Sequence, residues 1–306
     1  MNATSSPLSQ ATPAGGSGHP AADDETTVDA TGRIPPHGER ALVLGGGGSA
    51  GNAWLIGVLA GLADAGLDVT QADLTIGTSA GATAAAQLVG ATPAELYAAI
   101  LAATPPQRPA SAGPTGAPRP AADHMERLTG IIASAADPAD MRRRLGAAAL
   151  EADASSDGTG QARWRATVAT RLSRYDWPER TVLLTAVDAE TGQPTVFDRH
   201  SGVDLVDAVA ASTSNGFGVG PYGIGGRRYL DGGYRRNENA DLAAGYQRVL
   251  VLSPLGGRTL TPLEWGQQLA VQVDELRAAG SKVETILPGS SSDDEVPGNT
   301  RGPAGR

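Results

Sequence analysis

Residues 41–51 read Ala-Leu-Val-Leu-Gly-Gly-Gly-Gly-Ser-Ala-Gly, a short apolar run followed directly by a glycine-rich turn. The four residues 41–44 are typical of a strand buried on both faces. Apolar residues at helical spacing follow between Asn52 and Ala65. Four consecutive glycines argue against a membrane-spanning helix over the uncharged stretch 41–63. We therefore predict a strand, a glycine turn and a buried helix.

This alternation continues along the chain. Further strands are predicted at 74–76, 182–187, 228–230, 249–252 and 283–287. Further helices are predicted at 82–89, 94–103, 123–135, 138–152, 161–174, 203–211 and 262–279, with a glycine-rich loop at 215–226. Strands and helices in this order are typical of an α/β protein in which a mainly parallel central sheet is flanked by helices.

The ends of the chain differ in composition from its body. Residues 1–38 and 289–306 lack apolar runs and are predicted to be disordered tails. The ordered domain is expected over 39–288. Within it, residues 94–175 are interpreted as a helical insertion that contains a proline-rich linker at 104–120.

Composition excludes several classes of function. The chain has no cysteine and four histidines, which excludes disulfides and thiolate zinc sites and argues against a histidine-rich metal site. The formal net charge is −9, and Lys282 is the sole lysine, so a basic nucleic-acid surface is not expected. The N-terminal residues do not resemble a signal peptide, and a cytoplasmic location is the default expectation.

The glycine turn at Gly46–Gly51 fits G-x-G-x-x-G. A dinucleotide site would need an acidic residue at the end of the next strand, whereas Asp73 precedes that strand. A P-loop would need Gly-Lys-Ser/Thr, which does not occur. Bare backbone amides in such a turn also suit an oxyanion hole, which stabilises the negative charge formed during acyl transfer. A tight turn without a ligand is the remaining interpretation.

The sequence Gly77-Thr78-Ser79-Ala80-Gly81 fits G-x-S-x-G between a predicted strand and a predicted helix. This is the context of a nucleophile elbow, in which the flanking glycines relieve the crowding of a sharp turn and expose the serine hydroxyl. The plain alternative is that Ser79 caps the helix. The preceding glycine turn favours the nucleophile.

A serine nucleophile needs a base. A Ser79–Asp188–His200 triad is one arrangement, but His200 lies in a polar turn and no histidine follows Asp231. Asp231 is the better candidate, because it ends a predicted strand and opens the turn Asp231-Gly232-Gly233. Asp-Gly is also common turn chemistry.

Together, the segments 44–51, 77–81 and 231–233 resemble the patatin-like phospholipase family. The resemblance extends over about 41–287. It implies a three-layer α/β/α sandwich that hydrolyses acyl esters of lipids without a metal or an organic cofactor. It also implies a lipid or ester substrate and is compatible with peripheral contact at a membrane surface.

The resemblance assigns roles to the motif residues. Ser79 would be the nucleophile and acyl carrier, and Asp231 would activate Ser79 and then the deacylating water. The amides of Gly46, Gly47 and Gly48 would form the oxyanion hole. The remaining motif glycines are Gly51, Gly77, Gly81, Gly232 and Gly233.

Two departures bear on these roles. Ala50 stands where the family usually has Arg or Lys, and residues 212–220 are more polar than in relatives. Phe197, Phe217, Tyr222 and the predicted helices of the middle third are candidates for an acyl pocket, and plain core is the alternative for the three aromatic residues. Residues 104–120 and their adjacent helices are either a lid or a surface insertion. A protein that binds acyl chains or a partner without turnover is the alternative function.

Overall fold

The computed structural model describes Met1 and residues 28–103, 120–154 and 156–289. Within these residues, eight strands form one sheet: β1 Gly38–Leu44, β2 Leu74–Gly77, β3 Thr181–Asp188, β4 Pro194–Phe197, β5 Tyr222–Ile224, β6 Arg227–Asp231, β7 Tyr246–Leu252 and β8 Lys282–Ile286. The helices are α1 Gly48–Asp64, α2 Ala80–Gln87, α3 Pro93–Ala102, α4 Pro120–Ser134, α5 Pro138–Asp153, α6 Thr159–Ala169, α7 Leu205–Ser212 and α8 Leu269–Ala278.

The sheet has a parallel part and an antiparallel part. Hydrogen bonds connect the strands in the order β5-β6-β3-β2-β1-β7-β8, and β4 also pairs with β3. Neighbouring strands in the run β3-β2-β1-β7-β8 are parallel. By contrast, β4 and β6 pair antiparallel with β3, and β5 pairs antiparallel with β6. The sequence did not predict β4, and β5 lies in the predicted loop 215–226. The central sheet is therefore mixed.

Alternating side chains of β1 divide the core into two layers. Leu42 and Leu44 pack in one buried cluster with residues of α1, α2 and α7. Ala41 and Val43 pack in a second cluster with residues of α8. Because successive side chains of a strand point to opposite faces, both faces of the sheet are covered by helices. This confirms the three-layer α/β/α sandwich.

Small residues place α2 close to the sheet. Alanines at 80, 82 and 84–86 are all buried, and the helix contacts α1 and α7 as well as β1, β2 and β3. Alanine has the highest helix propensity and needs little space between packed backbones. This central helix begins one residue after Ser79.

The helices of the predicted insertion belong to the same body. α3 packs on α1, and α6 packs on α7. Residues of α4 and α5 form a third buried cluster with Val187 and Leu230 of the sheet. The predicted linker 104–120 lies outside the described residues except for Pro120, where α4 begins.

Predicted boundaries differ from the structure at several places, most of all at the N-terminal tail and at α8. Residues 28–37 are not a tail: Ala30 is buried, its amide donates to the Val196 carbonyl, and Arg33 forms an ion pair with Asp198. The helix predicted over 262–279 begins only at Leu269, because Pro262 opens a short 3₁₀ turn instead. Residues 2–27 and 290–306 of the predicted tails lie outside the described residues.

Candidate active site

The register of β3 explains how Ser79 and Asp231 meet. Gly77, the last residue of β2, pairs with Leu184, and Asp231, the last residue of β6, pairs with Ala186. Leu184 and Ala186 also pair with β4, which therefore lies along the other edge of β3. Hence β2 and β6 lie along the same edge of β3. Their C-terminal ends face each other and are about 7 Å apart along β3.

The Ser79 turn has the strained geometry of a nucleophile elbow. Ser79 has φ 53° and ψ −110°, and α2 begins at the next residue. A positive φ is uncommon in residues other than glycine and is associated with functional sites. A Cβ on Gly81 would lie 1.8 Å from the Leu44 carbonyl oxygen, which explains why this motif position is glycine. The Ser79 amide donates to the buried Ser212 Oγ at 3.0 Å.

Asp231 faces Ser79 from the end of β6. The Gly233 amide donates to Asp231 Oδ1 at 2.8 Å, and the Ser79 hydroxyl lies close enough to this carboxyl to lower its pKa by hydrogen bonding. Burial raises the pKa of Asp231 from 3.8 to about 6, although these two hydrogen bonds oppose the rise. The carboxylate is thus ionised at neutral pH but more basic than an ordinary aspartate.

The glycine turn leads from β1 into α1 beside this pair. The Gly46 amide donates to the Asn237 carbonyl oxygen at 3.0 Å, so it is already occupied. Gly48 has φ +62° and is the first residue of α1. The first amides of a helix have no acceptor within the helix. The amide end of α1 is therefore suited to an anion.

Ser79 and Asp231 line a cavity of about 360 Å³, together with Gly46, Gly47 and Gly233. Its apolar lining comes from α4, α5 and the loop after β7: Met125, Leu128, Ile132, Met141, Leu255 and Leu260. Its polar lining includes Asn215, Arg236, Asn237, Arg258, Thr259, Thr261 and Gln267. The cavity thus offers apolar and polar surface to one ligand, as expected for an amphiphile.

The two residues of the alternative triad lie elsewhere. His200 is exposed, and its amide donates to Asp198. Asp188 is buried and forms an ion pair with Arg227 at 2.9 Å. The structure therefore does not bring this aspartate and this histidine together with Ser79.

A different histidine, His124 of α4, lines the cavity. Its ring packs on Phe217 at a centroid distance of 5.4 Å, and burial lowers its pKa. Among the described residues, His124 Nδ1 has no hydrogen-bond partner. It therefore lacks the orienting carboxylate that a histidine base of a triad normally has.

Of the three aromatic candidates for the acyl pocket, two belong to the core. Phe197 and Tyr222 are buried in the core, where Phe197 packs edge-on against Tyr229 and Tyr222 donates to Asp207. The third, Phe217, contacts His124. The middle helices, also named as candidates, do contribute: Met125, Leu128 and Ile132 of α4 line the cavity. Their spacing of three and four residues is a helical signal that the sequence does contain.

The described residues offer neither a metal site nor a membrane-spanning helix. Within the described residues, no three His, Cys, Asp or Glu side chains are grouped so that they could hold a metal ion. No helix in this part of the chain is long and apolar enough to cross a membrane.

Comparisons with known proteins agree with the motif pattern. The sequence matches the family described as patatin-like phospholipase over residues 42–244, a range that includes the glycine turn, Ser79 and Asp231. A search of curated protein sequences returns no match. Among solved structures, VipD from Legionella pneumophila is similar at 13% identity with a TM-score of 0.37. That match covers 74% of this chain and 51% of VipD, so it spans about half of the VipD chain.

Proposed function

Because the chain belongs to the patatin-like phospholipase family, we propose that it is a serine acyl hydrolase that cleaves carboxylic esters of lipids through Ser79 and Asp231. The family consists of esterases and phospholipases, which supports hydrolysis of an ester bond at that general level. The observation that carries the residue assignment is that a serine with a strained backbone and a desolvated carboxylate line the same cavity.

In the first step, the Ser79 hydroxyl oxygen attacks the ester carbonyl and its proton passes to the Asp231 carboxylate. The raised pKa of Asp231 supports this role, because a stronger base accepts the hydroxyl proton more readily. The protonated Asp231 then donates this proton to the departing alcohol. The product of this half-reaction is an ester between Ser79 and the acyl group.

The amides of Gly47 and Gly48 are assigned to the developing oxyanion. The Gly46 amide is not included, because it donates to Asn237. Gly47 lines the cavity, and Gly48 opens α1, whose positive dipole end favours negative charge. Removing one donor from an oxyanion hole typically costs about a hundredfold to a thousandfold in rate.

In the second step, water attacks the acyl-Ser79 carbonyl while Asp231 accepts a proton from the water. The collapsing intermediate expels the Ser79 oxygen, which takes the proton back from Asp231. The fatty acid leaves and both residues return to their starting states. The same pair of residues thus serves both half-reactions.

The cavity lining supports an amphiphilic substrate. The acyl chain would lie along Met125, Leu128 and Ile132, and the polar part would face Arg236 and Arg258. On the loop after β7, Leu260 lines the cavity and is 55% exposed, and Leu263 is 69% exposed. We assign peripheral membrane contact to this loop, because the exposed Leu260 lies at the cavity where a lipid would enter and the exposed Leu263 follows three residues later.

The experiment is a hydrolysis panel of short p-nitrophenyl esters and labelled phospholipids, run on the wild type, Ser79→Ala and Asp231→Asn. We expect turnover by the wild type and a loss of orders of magnitude in both variants. Acyl binding without turnover by the wild type would instead favour the non-catalytic alternative.

A further inference from the structure

Asn239 is fully buried and contacts both the turn that carries Ser79 and the turn that follows Asp231. Its Nδ2 lies 3.0 Å from Thr78 Oγ1 and 3.2 Å from the Gly232 carbonyl oxygen. Thr78 directly precedes Ser79, and Gly232 directly follows Asp231. One side-chain amide therefore contacts the turn of the nucleophile and the turn of the base.

The Asn239 side-chain nitrogen has two further hydrogen-bond acceptors. Nδ2 lies 2.6 Å from the Arg236 carbonyl oxygen and 3.3 Å from Thr185 Oγ1. Thr185 belongs to β3, and its hydroxyl is 2.9 Å from Thr78 Oγ1. An amide nitrogen has two hydrogens, so they are shared among four acceptors. The Asn239 amide thus also ties both turns to the strand that sets their separation.

Arg235 fixes the orientation of this amide. Its Nη1 donates to Asn239 Oδ1 at 2.7 Å, and the same guanidinium is held by both carboxylate oxygens of Asp241. Because arginine can only donate, the amide oxygen must face Arg235 and the amide nitrogen must face the acceptors. Asn239 also has φ 54°, a backbone conformation that asparagine tolerates better than most residues.

We propose that Asn239 is a positioning residue that holds the Ser79 turn against the Asp231 turn, so that the serine hydroxyl stays within reach of the carboxylate. This inference rests on the proposed function. No hydrogen bond found among the described residues joins the Asn239 side chain to the side chain of Ser79 or Asp231. It acts through Thr78 and Gly232.

The test uses Asn239→Ala and Thr78→Val in the full chain, singly and together. For each single variant we expect kcat for p-nitrophenyl butyrate to fall about tenfold to a hundredfold, as small misplacements of reacting groups do, while KM changes less than about twofold. The double variant should lose no more than the more damaged single variant, because both changes break the same bond. In a profile of activity against pH, the apparent pKa of the acidic limb should rise in these variants. The reason is that hydrogen bonding by Ser79 lowers the pKa of Asp231 in the wild type, and a displaced Ser79 turn would weaken it.

Gln272→Ala is the matched control. Gln272 is also a fully buried amide and bonds to Glu238, Gln267 and Ala240, but it contacts neither Thr78 nor Gly232. It should lower the melting temperature without moving the acidic limb. If Asn239→Ala behaves like this control, or if the losses in the double variant multiply, the positioning role is wrong. If the wild type itself hydrolyses no ester, the proposed function fails instead.

Discussion

Ser79 and Asp231 lie at the facing ends of two strands that pair with the same edge of β3. Their separation is therefore set by the register of a buried strand and not by the conformation of a long loop. Hydrogen bonds of Asn239 and Ser212 add further constraints on the Ser79 turn. Such preorganisation means that substrate binding need not assemble the pair.

Activity should depend on the protonation state of Asp231. Because only the ionised Asp231 can accept a proton from Ser79, activity should be lost as pH falls through about 6, the raised pKa of this carboxyl. A profile of kcat/KM for a soluble neutral ester should fall about tenfold per pH unit below that value. An acidic limb near 4, the value of an ordinary aspartate, would show that the base is not desolvated.

The same burial predicts a stability effect. The native pKa of Asp231, about 6, lies above the 3.8 of an ordinary aspartate, so the wild type loses stability as pH rises between these values. Asp231→Asn keeps an acceptor for the Gly233 amide and removes the charge. We expect its free energy of unfolding at pH 8 to exceed that of the wild type by up to about 3 kcal/mol, with the difference vanishing near pH 4. Urea titrations at both pH values measure this, and a less stable variant at pH 8 would contradict it.

Histidine substitutions separate the dyad from a triad. His200 is exposed, and His124 lacks an orienting carboxylate among the described residues. His200→Ala should therefore keep kcat within about twofold of the wild type, whereas loss of a triad member costs orders of magnitude. Steady-state kinetics on p-nitrophenyl butyrate decide between them. A His200→Ala enzyme that is folded but inactive would favour the triad.

Membrane contact can be tested without catalysis, in a Ser79→Ala background. Leu263→Ser should weaken sedimentation with phospholipid vesicles severalfold, because it removes an exposed apolar side chain from the loop at the cavity. Leu67→Ser is the control. Leu67 is 55% exposed and lies between α1 and the start of β2, whereas Ser79 follows the end of β2. Equal binding by both variants would place the membrane contact elsewhere.

The sequence predicts local motifs better than their surroundings. The strand–turn–helix segments around Gly46 and Ser79 could be predicted because glycine spacing and apolar runs are local signals. β4 and β5 have four and three residues and carry little periodicity, so they were missed. The antiparallel pairing of β6 with β3, which brings Asp231 to Ser79, depends on topology that no local pattern encodes.

Within the candidate site, too, the sequence predicts the motifs but not the contacts that distant residues make with them. Gly46 fits the oxyanion motif by sequence, yet its amide is occupied by Asn237, a residue far along the chain. Asn239 resembles an ordinary turn residue by sequence, because its partners come from distant segments. The apolar residues of α4 do have helical spacing, but sequence alone does not show that they face the cavity.

The most direct measurement is the site and rate of covalent labelling by a fluorophosphonate, read by intact mass and peptide mapping. We expect one adduct, at Ser79 of the wild type, none in Ser79→Ala, and labelling of Asp231→Asn slowed by orders of magnitude. His200→Ala should label like the wild type. An adduct that persists in Ser79→Ala, or an Asp231→Asn protein labelled at the wild-type rate, would contradict the Ser79–Asp231 dyad.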